Sequence, residues 1–130
     1  MSGLKCVVVT PEQTELDVSA QSVTVPMFDG EMGIMKGHSP LVGRLGYGVL
    51  RIKTDSGNEK YFLEGGFVQV ESDVVSILTD RLVPMSEVSR SAADAAMQEA
   101  LEMPTNQPEV AVAREKAVNR ARAMARVAGS

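Results

Sequence analysis

The apolar residues change their spacing once along this chain of 130 residues, close to Pro84. Before that point they alternate with polar residues, as in β-strands that bury one face. After it they recur every three or four residues, which is the spacing of one face of an α-helix. We therefore expect an all-β sandwich or flattened barrel at residues 1–84, followed by a helical domain at residues 85–130.

Turn-forming residues divide the first domain into short strands. The signals are Asp29-Gly30, Gly46-Tyr47-Gly48, Asp55-Ser56-Gly57-Asn58, Gly65-Gly66 and Ser72-Asp73. The Asp-Ser-Gly-Asn segment predicts a tight β-hairpin. Many short strands at such spacing favour two packed sheets.

The second domain has the pattern of two helices. In the first, Ser86 is the predicted N-cap and Glu87 lies in the first turn, where the helix dipole favours an acid. Pro108 suits the first position of the second helix. The connection is short, so we expect an antiparallel helical hairpin. The predicted apolar stripes are Val88, Ala92, Ala96 and Ala100, then Val110, Ala113, Ala117, Ala121, Met124 and Ala128.

The two predicted helices differ in the sign of their net charge. Residues 87–109 contain five acids and one base, whereas residues 114–126 contain five bases and one acid. Exposed ion pairs contribute only ~0.2–1 kcal/mol each. The opposite charges therefore set the orientation of the two helices more than they stabilise the hairpin. The stripes are mostly alanine, which buries little area. Two interpretations stay open: a weakly held hairpin that moves in regulation, or a permanently docked hairpin that completes the fold.

Composition excludes several classes of function. A net charge of −4 argues against nucleic-acid binding, which needs a basic surface. Cys6 is the single cysteine, so an internal disulfide and a cysteine-based zinc site are both excluded. No apolar run approaches the ~20 residues that cross a bilayer. We expect no direct membrane insertion, and any membrane association would go through a protein partner.

No catalytic or metal-binding constellation is visible. His38 is the only histidine, and the chain has neither a Gly-x-x-x-x-Gly-Lys-Ser/Thr phosphate loop nor a Gly-x-Ser-x-Gly elbow. The acids are spread over turns and the first helix, which is typical of a solvated surface. An enzyme is therefore disfavoured, with no catalytic residue and no metal site. An alternative is a small ligand-binding sandwich with a helical lid, but it needs an apolar pocket, and no aromatic cluster is present to line one.

The segment from Gly30 to Pro40 is the most specific motif of the chain. It reads Gly-Glu-Met-Gly-Ile-Met-Lys-Gly-His-Ser-Pro. Its glycines mark tight turns or close backbone approach, and its proline restricts the preceding residue. We expect a shaped surface edge that contacts a partner. The predicted interface residues are Phe28, Glu31, Met32, His38 and Pro40.

The chain resembles the epsilon subunit of bacterial F-type ATP synthases over nearly its whole length. The similar segments occur in family order: Val8-Val9-Thr10-Pro11-Glu12, the run from Gly30 to Leu41, Gly48-Val49-Leu50-Arg51-Ile52, Tyr61-Phe62, and Gly65-Gly66-Phe67-Val68. The change to an Ala-rich helical pair near residue 84 matches the family's two-part architecture. The chain departs from the family at Lys36 (usually proline), at Glu64 (usually small) and at Gly43-Arg44 (usually apolar or small).

The resemblance implies a non-catalytic rotor subunit that requires no cofactor. In the family, the sandwich grips the gamma subunit and rests on the ring of c subunits, so that proton flow is coupled to ATP synthesis. The hairpin folds back or extends towards the alpha/beta catalytic head, where it restrains ATP hydrolysis. The implied location is the cytoplasmic face of the bacterial inner membrane, as a peripheral part of the F1 sector.

The resemblance also raises the possibility of regulatory ATP on the hairpin. Some family members bind ATP through an acid and an arginine three positions on, together with two arginines four apart in the second helix. Glu87 and Arg90 match the first pair in part, and Arg122 and Arg126 match the second. Residues three or four apart share a helix face, so both pairs could converge on one ligand.

Overall fold

The computed structural model describes residues 3–128 as strands followed by helices, which confirms the expected fold class. The chain divides into two compact units, and the boundary lies between Val83 and Pro84. The strands are β1 (Leu4–Val9), β2 (Thr14–Ala20), β3 (Ser22–Met27), β4 (Gly30–Met35), β5 (Leu41–Thr54), β6 (Gly57–Glu71), β7 (Val74–Leu78) and β8 (Leu82–Pro84). A single 3₁₀ turn (Met85–Glu87) precedes helices α1 (Arg90–Leu101) and α2 (Pro108–Val127).

One continuous sheet of eight strands forms both layers of the sandwich. The strand order is β2-β1-β7-β6-β5-β3-β4, with β8 paired to β6. Strands β5 and β6 are long, with 14 and 15 residues. Strand β5 pairs with β6 along its whole length. The last part of β6 also pairs with β7, which in turn pairs with β1. On its other edge, β5 pairs with β3, mainly through its last part. Strand β2 contacts β5 although three strands separate them in the order, because the ladder folds over on itself.

The fold-over occurs at glycines inside β5 and β6. Leu45 and Leu50 both belong to the core although five residues separate them, so the face of β5 that points inward changes between them. The predicted turns at Gly46-Tyr47-Gly48 and Gly65-Gly66 are therefore wrong, since all of these residues lie within strands.

Two of these glycines are required by the close packing of neighbouring strands. A Cβ atom at Gly48 would lie 2.7 Å from Cβ of Pro26 on β3. Gly66 has φ of 110°, and a Cβ atom there would overlap the carbonyl oxygen of Leu78. Strands change layers where such bends allow it, so these glycines form a corner of the sandwich and not a chain reversal.

The other three predicted reversals are confirmed. Phe28 and Asp29 connect the paired residues Met27 and Gly30. Asp55 and Ser56 form a two-residue loop between the paired residues Thr54 and Gly57. Ser72 and Asp73 connect β6 to β7 with φ values of 50° and 62°, the left-handed conformation of a type I′ hairpin turn.

The core between the layers consists mainly of valine, leucine and isoleucine. Its fully buried members come from both layers and include Val8, Val23, Ile34, Leu50, Ile52, Leu63, Val68, Val75 and Ile77. Cys6 is part of this cluster. Burial, with a smaller contribution from the charge of Glu59, raises the pKa of the Cys6 thiol to about 12. The thiolate is the reactive form of cysteine, so Cys6 is a core residue without redox or nucleophilic character.

The helical unit begins later than its sequence indicates. Ser86 and Glu87 lie in the 3₁₀ turn, Val88 is extended, and the N-cap of α1 is Ser89, whose Oγ accepts a hydrogen bond from the Ala92 amide at 3.0 Å. The predicted Ser86 cap is thus wrong, because the extended residue at 88 separates it from the helix. Pro108 does open α2, as expected.

Helices α1 and α2 contact each other as a hairpin across residues 102–107. Buried small residues lie on both helices, among them Ala93, Ala100 and Ala121. Ala113, placed in the apolar stripe by its spacing, is exposed instead. No helix within residues 3–128 is both long enough and apolar enough to cross a membrane.

The corner predicts a sharp contrast between two glycine substitutions. Gly66→Ala should destabilise the protein by about 3–5 kcal/mol or prevent folding, because the added methyl group meets backbone and φ is unfavourable. Gly33→Ala is the matched control, since nothing lies within 4 Å of its Cβ position and its φ is ordinary. Urea unfolding of both variants measures the difference, and similar stabilities would contradict the corner.

Candidate partner-binding surfaces

Three of the five large exposed apolar side chains of the sandwich lie together on the outside of one layer. Val42, Phe67 and Leu78 are 75%, 58% and 54% exposed. Phe67 pairs with Leu78, and Val42 pairs with Gln69, two residues from Phe67, so all three side chains share one face. Val9, which pairs with Leu78, extends this face onto β1. We call Val9, Val42, Phe67 and Leu78 the outer apolar face; contiguous exposed apolar surface of this kind marks a binding site.

Sequence reasoning missed this face, although a signal for it exists. Val68 and Val70 are the inward residues of β6, so strict alternation places Phe67 outward. In the same way Ile77 points inward, which places Leu78 outward. Bulky apolar residues at outward positions of adjacent strands are the signal. This signal indicates a shared surface only when the strand order is known, because the order shows that β5, β6 and β7 are neighbours.

The predicted interface residues divide into two groups along the chain. Phe28, which is exposed, and Glu31 lie at the β3–β4 turn, where Glu31 forms an ion pair with Arg51. His38 and Pro40 lie in the loop beyond the other end of β4, a strand of six residues that spans roughly 20 Å. The structure therefore brings Phe28 and Glu31 together but does not join them to His38 and Pro40 in one small patch.

Met32 is less accessible than the other predicted interface residues at this turn. It pairs with the buried Val25 and packs against the core between the layers. Only part of its side chain reaches solvent, and its contact with a partner stays a prediction. The alternation of β4 explains the difference, because Glu31 and Gly33 take the outward positions.

Hydrogen bonds hold the loop from Lys36 to Pro40 in place. The Gly37 amide donates to Oδ1 of Asp73 at 2.8 Å, and the His38 amide donates to the Met35 carbonyl at 3.1 Å. Nδ1 of the half-exposed His38 lies 2.7 Å from its acceptor, the Ser39 carbonyl. The stem of Lys36 covers Gly3 so closely that a Cβ atom there would lie 2.7 Å from Cδ of Lys36. The glycine-rich segment is thus a shaped edge whose backbone is anchored to the β6–β7 turn.

Two open cavities on the sandwich are lined mostly by residues with polar side chains. One, of about 270 Å³, is lined by Gln69, Glu71, Ser72, Val74 and Ser76. The other, of about 210 Å³, is lined by Ser22, Thr24, Arg51, Ile52, Lys53, Asn58 and Lys60. Small-molecule sites are mostly apolar and concave, so neither cavity favours the alternative of a ligand-binding sandwich.

Catalytic chemistry has no visible support in the part of the chain that the structure describes. Residues 3–128 contain no group of three or more histidine, cysteine or acidic side chains that could hold a metal ion. The buried Glu64 forms an ion pair with Arg81 at 3.8 Å, and its amide donates to Oγ1 of Thr79 at 3.3 Å. Glu64, an unusual residue for the resembled family, is therefore accommodated by its own neighbours in the sandwich.

Only half of the expected nucleotide-binding geometry is present. Arg122 and Arg126 are exposed and lie one turn apart on α2, as expected. Glu87, however, lies in the 3₁₀ turn, while Arg90 is the first residue of α1 and pairs with Asp94 at 3.7 Å. Glu87 and Arg90 therefore do not share a face of one α-helix, and that premise was wrong. Nucleotide binding by these four residues stays a prediction.

A β-sandwich with an exposed apolar face, a shaped loop edge and a helical hairpin defines a protein that acts by binding other proteins. Residues 3–85 match the family model of the ATP synthase delta/epsilon chain β-sandwich domain. The ATP synthase epsilon chain of Rhodopirellula baltica is 52% identical over 124 residues, which cover 95% of this chain and 97% of the relative. The chain belongs to the ATP synthase epsilon chain family, whose members are not the catalytic subunits of the complex.

More distant similarities agree with this assignment. The sodium-ion-specific ATP synthase epsilon chain of Propionigenium modestum is 36% identical over 88 residues, or 68% of this chain and 64% of that one. Among solved structures, a chain of the Euglena gracilis mitochondrial ATP synthase (OSCP/F1/c-ring) matches 95% of this chain and 80% of its own length, with a TM-score of 0.77 and 24% identity. A chain of the Tetrahymena thermophila central stalk/c-ring structure gives 0.73 at 16% identity, covering 98% and 97%. At such identities the structural matches establish the fold.

The nucleotide prediction can be tested on the isolated protein. If Arg122 and Arg126 bind phosphate groups, millimolar ATP should raise the melting temperature, because a ligand of the folded state stabilises it. The variant Arg122→Gln/Arg126→Gln should lose that shift, while Lys60→Gln, on the sandwich, should keep it. Unchanged melting of the original protein, together with unchanged hairpin NMR shifts, would contradict ATP binding.

Proposed function

We propose that this chain is a central-stalk subunit of an F-type ATP synthase, in which the sandwich binds the gamma subunit through the outer apolar face. Membership in the epsilon chain family supports this role. The observation that carries the proposal is the row of exposed Phe67 and Leu78 in register on neighbouring strands. Complete burial of such a side chain contributes about 1.5–3 kcal/mol, so a partner that covers the row gains substantial affinity.

The shaped edge is the proposed contact with the ring of c subunits. Phe28 and Glu31 present one apolar and one acidic side chain at the β3–β4 turn, and His38 and Pro40 present a second surface in the loop after β4. The Asp73 and Met35 hydrogen bonds anchor that loop. A surface that transmits torque has to keep its shape under load, which anchored backbone provides. Rotation driven by ion flow through the ring would then pass to gamma through the sandwich.

The hairpin is the proposed regulatory element. It forms a compact unit of its own after Val83. Its buried side chains on α1 are alanines, which bury little apolar area and so contribute little to the stability of the unit. When extended, the basic second helix would meet an acidic surface of the alpha/beta catalytic head and restrain ATP hydrolysis. Bound ATP on the hairpin would favour the folded-back position, although the enzyme requires no cofactor in this subunit.

These contacts give the proposed location. The subunit would sit in the F1 sector at the cytoplasmic face of the bacterial inner membrane, held there by gamma and the c ring and not by a segment of its own.

The docking of gamma is tested by a charge on the outer apolar face. Leu78→Asp should weaken binding to an F1 complex that contains gamma but lacks this chain by at least about 100-fold, because burial then desolvates a carboxylate that has no base opposite it. Leu78 is 54% exposed, so circular dichroism and melting should stay nearly unchanged. Val112→Asp, at an exposed apolar residue of α2, is the matched control. Unaltered binding of Leu78→Asp would contradict this docking face.

Regulation by the hairpin is tested by truncation after Pro84. We expect the assembled enzyme with residues 1–84 to synthesise ATP but to hydrolyse it several times faster than the complete enzyme. Circular dichroism of the truncated chain should retain the β signal and lose the helical one. Equal hydrolysis rates in the two enzymes would leave the stalk role intact and remove the inhibitory one.

A further inference from the structure

We propose that the surface of gamma that covers the outer apolar face carries a carboxylate, and that this carboxylate pairs with Arg44. The inference rests on the proposed docking of gamma. It adds the chemistry of one specific contact.

Arg44 lies within the row that forms the face. It pairs directly with Phe67, which in turn pairs with Leu78. Val42 is two residues away on the same side of β5, and the Phe28 amide donates to the Arg44 carbonyl at 3.1 Å. The side chain of Arg44 thus starts beside two exposed apolar residues, Phe67 on the neighbouring strand and Val42 on its own strand. A partner that covers Phe67 must also cover Arg44 or leave a gap beside it.

Arg44 differs from the other arginines of the sandwich in having no acid of its own. Arg51 is paired with Glu31, and Arg81 is paired with Glu64. Arg44 is exposed and forms no ion pair within residues 3–128. Its charge is therefore compensated by water alone while the face is uncovered.

Docking removes that water. A buried guanidinium is tolerated only when it is paired and hydrogen-bonded, since an unpaired buried charge is strongly destabilising. A neutral acceptor such as a carbonyl would leave the charge uncompensated, whereas a carboxylate neutralises it and accepts two parallel N–H bonds from the planar guanidinium. The face thus selects a partner whose apolar contact surface is interrupted by one Asp or Glu.

Such a pair would fix the register of the two subunits. An apolar face alone is non-directional and tolerates sliding of one surface over the other. One buried arginine that must meet one carboxylate penalises every other alignment, which is how charge confers specificity at interfaces. For a subunit that transmits rotation, this contact would resist slip between sandwich and gamma.

Charge reversal with compensation tests the pair. The probe is an F1 complex that contains gamma and lacks this chain, titrated with the full-length protein. Arg44→Glu should raise Kd by about 30-fold or more, as loss of one partner of a buried pair does. One Asp→Lys or Glu→Lys change on gamma should restore binding of Arg44→Glu while it weakens binding of the original chain. Lys60→Glu reverses an exposed charge of the other layer and should bind normally.

The outcomes separate the two proposals. If Leu78→Asp loses binding while Arg44→Glu stays within about threefold of the original, gamma uses the face but no carboxylate meets Arg44. If Arg44→Glu binds poorly and no single charge change on gamma restores it, the paired carboxylate is also rejected. If Leu78→Asp and Arg44→Glu both bind normally, the docking face itself is wrong. Only loss by Arg44→Glu with rescue by one reversal on gamma supports the pair.

Discussion

The close approach of neighbouring strands to the glycines at the corner of the β5–β6 hairpin is the constraint on which this structure depends. Two long strands belong to both layers only because no side chain stands between Gly66 and the Leu78 carbonyl, or between Gly48 and Pro26. The ladder can then turn and place both of its inner faces on one core. Without the corner, β5 and β6 would form a long flat hairpin, and half of their apolar residues would face water.

The same corner decides which residues a partner can reach. Because the inward face of β6 changes near Gly66, Phe67 points outward while Leu63 and Val68 point inward. Pairing of β6 with β7 then sets Leu78 beside Phe67. A bulky apolar pair on the outside is unfavourable for an isolated monomer, but it suits a subunit that is covered by a neighbour throughout its working life.

The residues that stand out in this sequence have structural explanations, with the exception of one exposed arginine. Gly37 is bound to Asp73, so the glycine-histidine-proline segment is a supported edge. Cys6, whose pKa is raised to about 12 by burial, is inert core, and Glu64 is paired within the sandwich. Arg44 is the arginine of the sandwich that the fold leaves without an acid, and it lies among the exposed apolar side chains.

The sequence by itself determined the class of fold, three of the five predicted turns and the family, because periodicity and short motifs are local properties that need no partner strand. Only the tertiary structure decided that Gly46 and Gly66 lie within strands, that Met32 packs inward and that Ser89 caps α1. A glycine that reverses the chain and a glycine that lets another strand approach look alike in sequence. The difference depends on residues far along the chain, and so does the outer apolar face, which exists only once β5, β6 and β7 lie side by side.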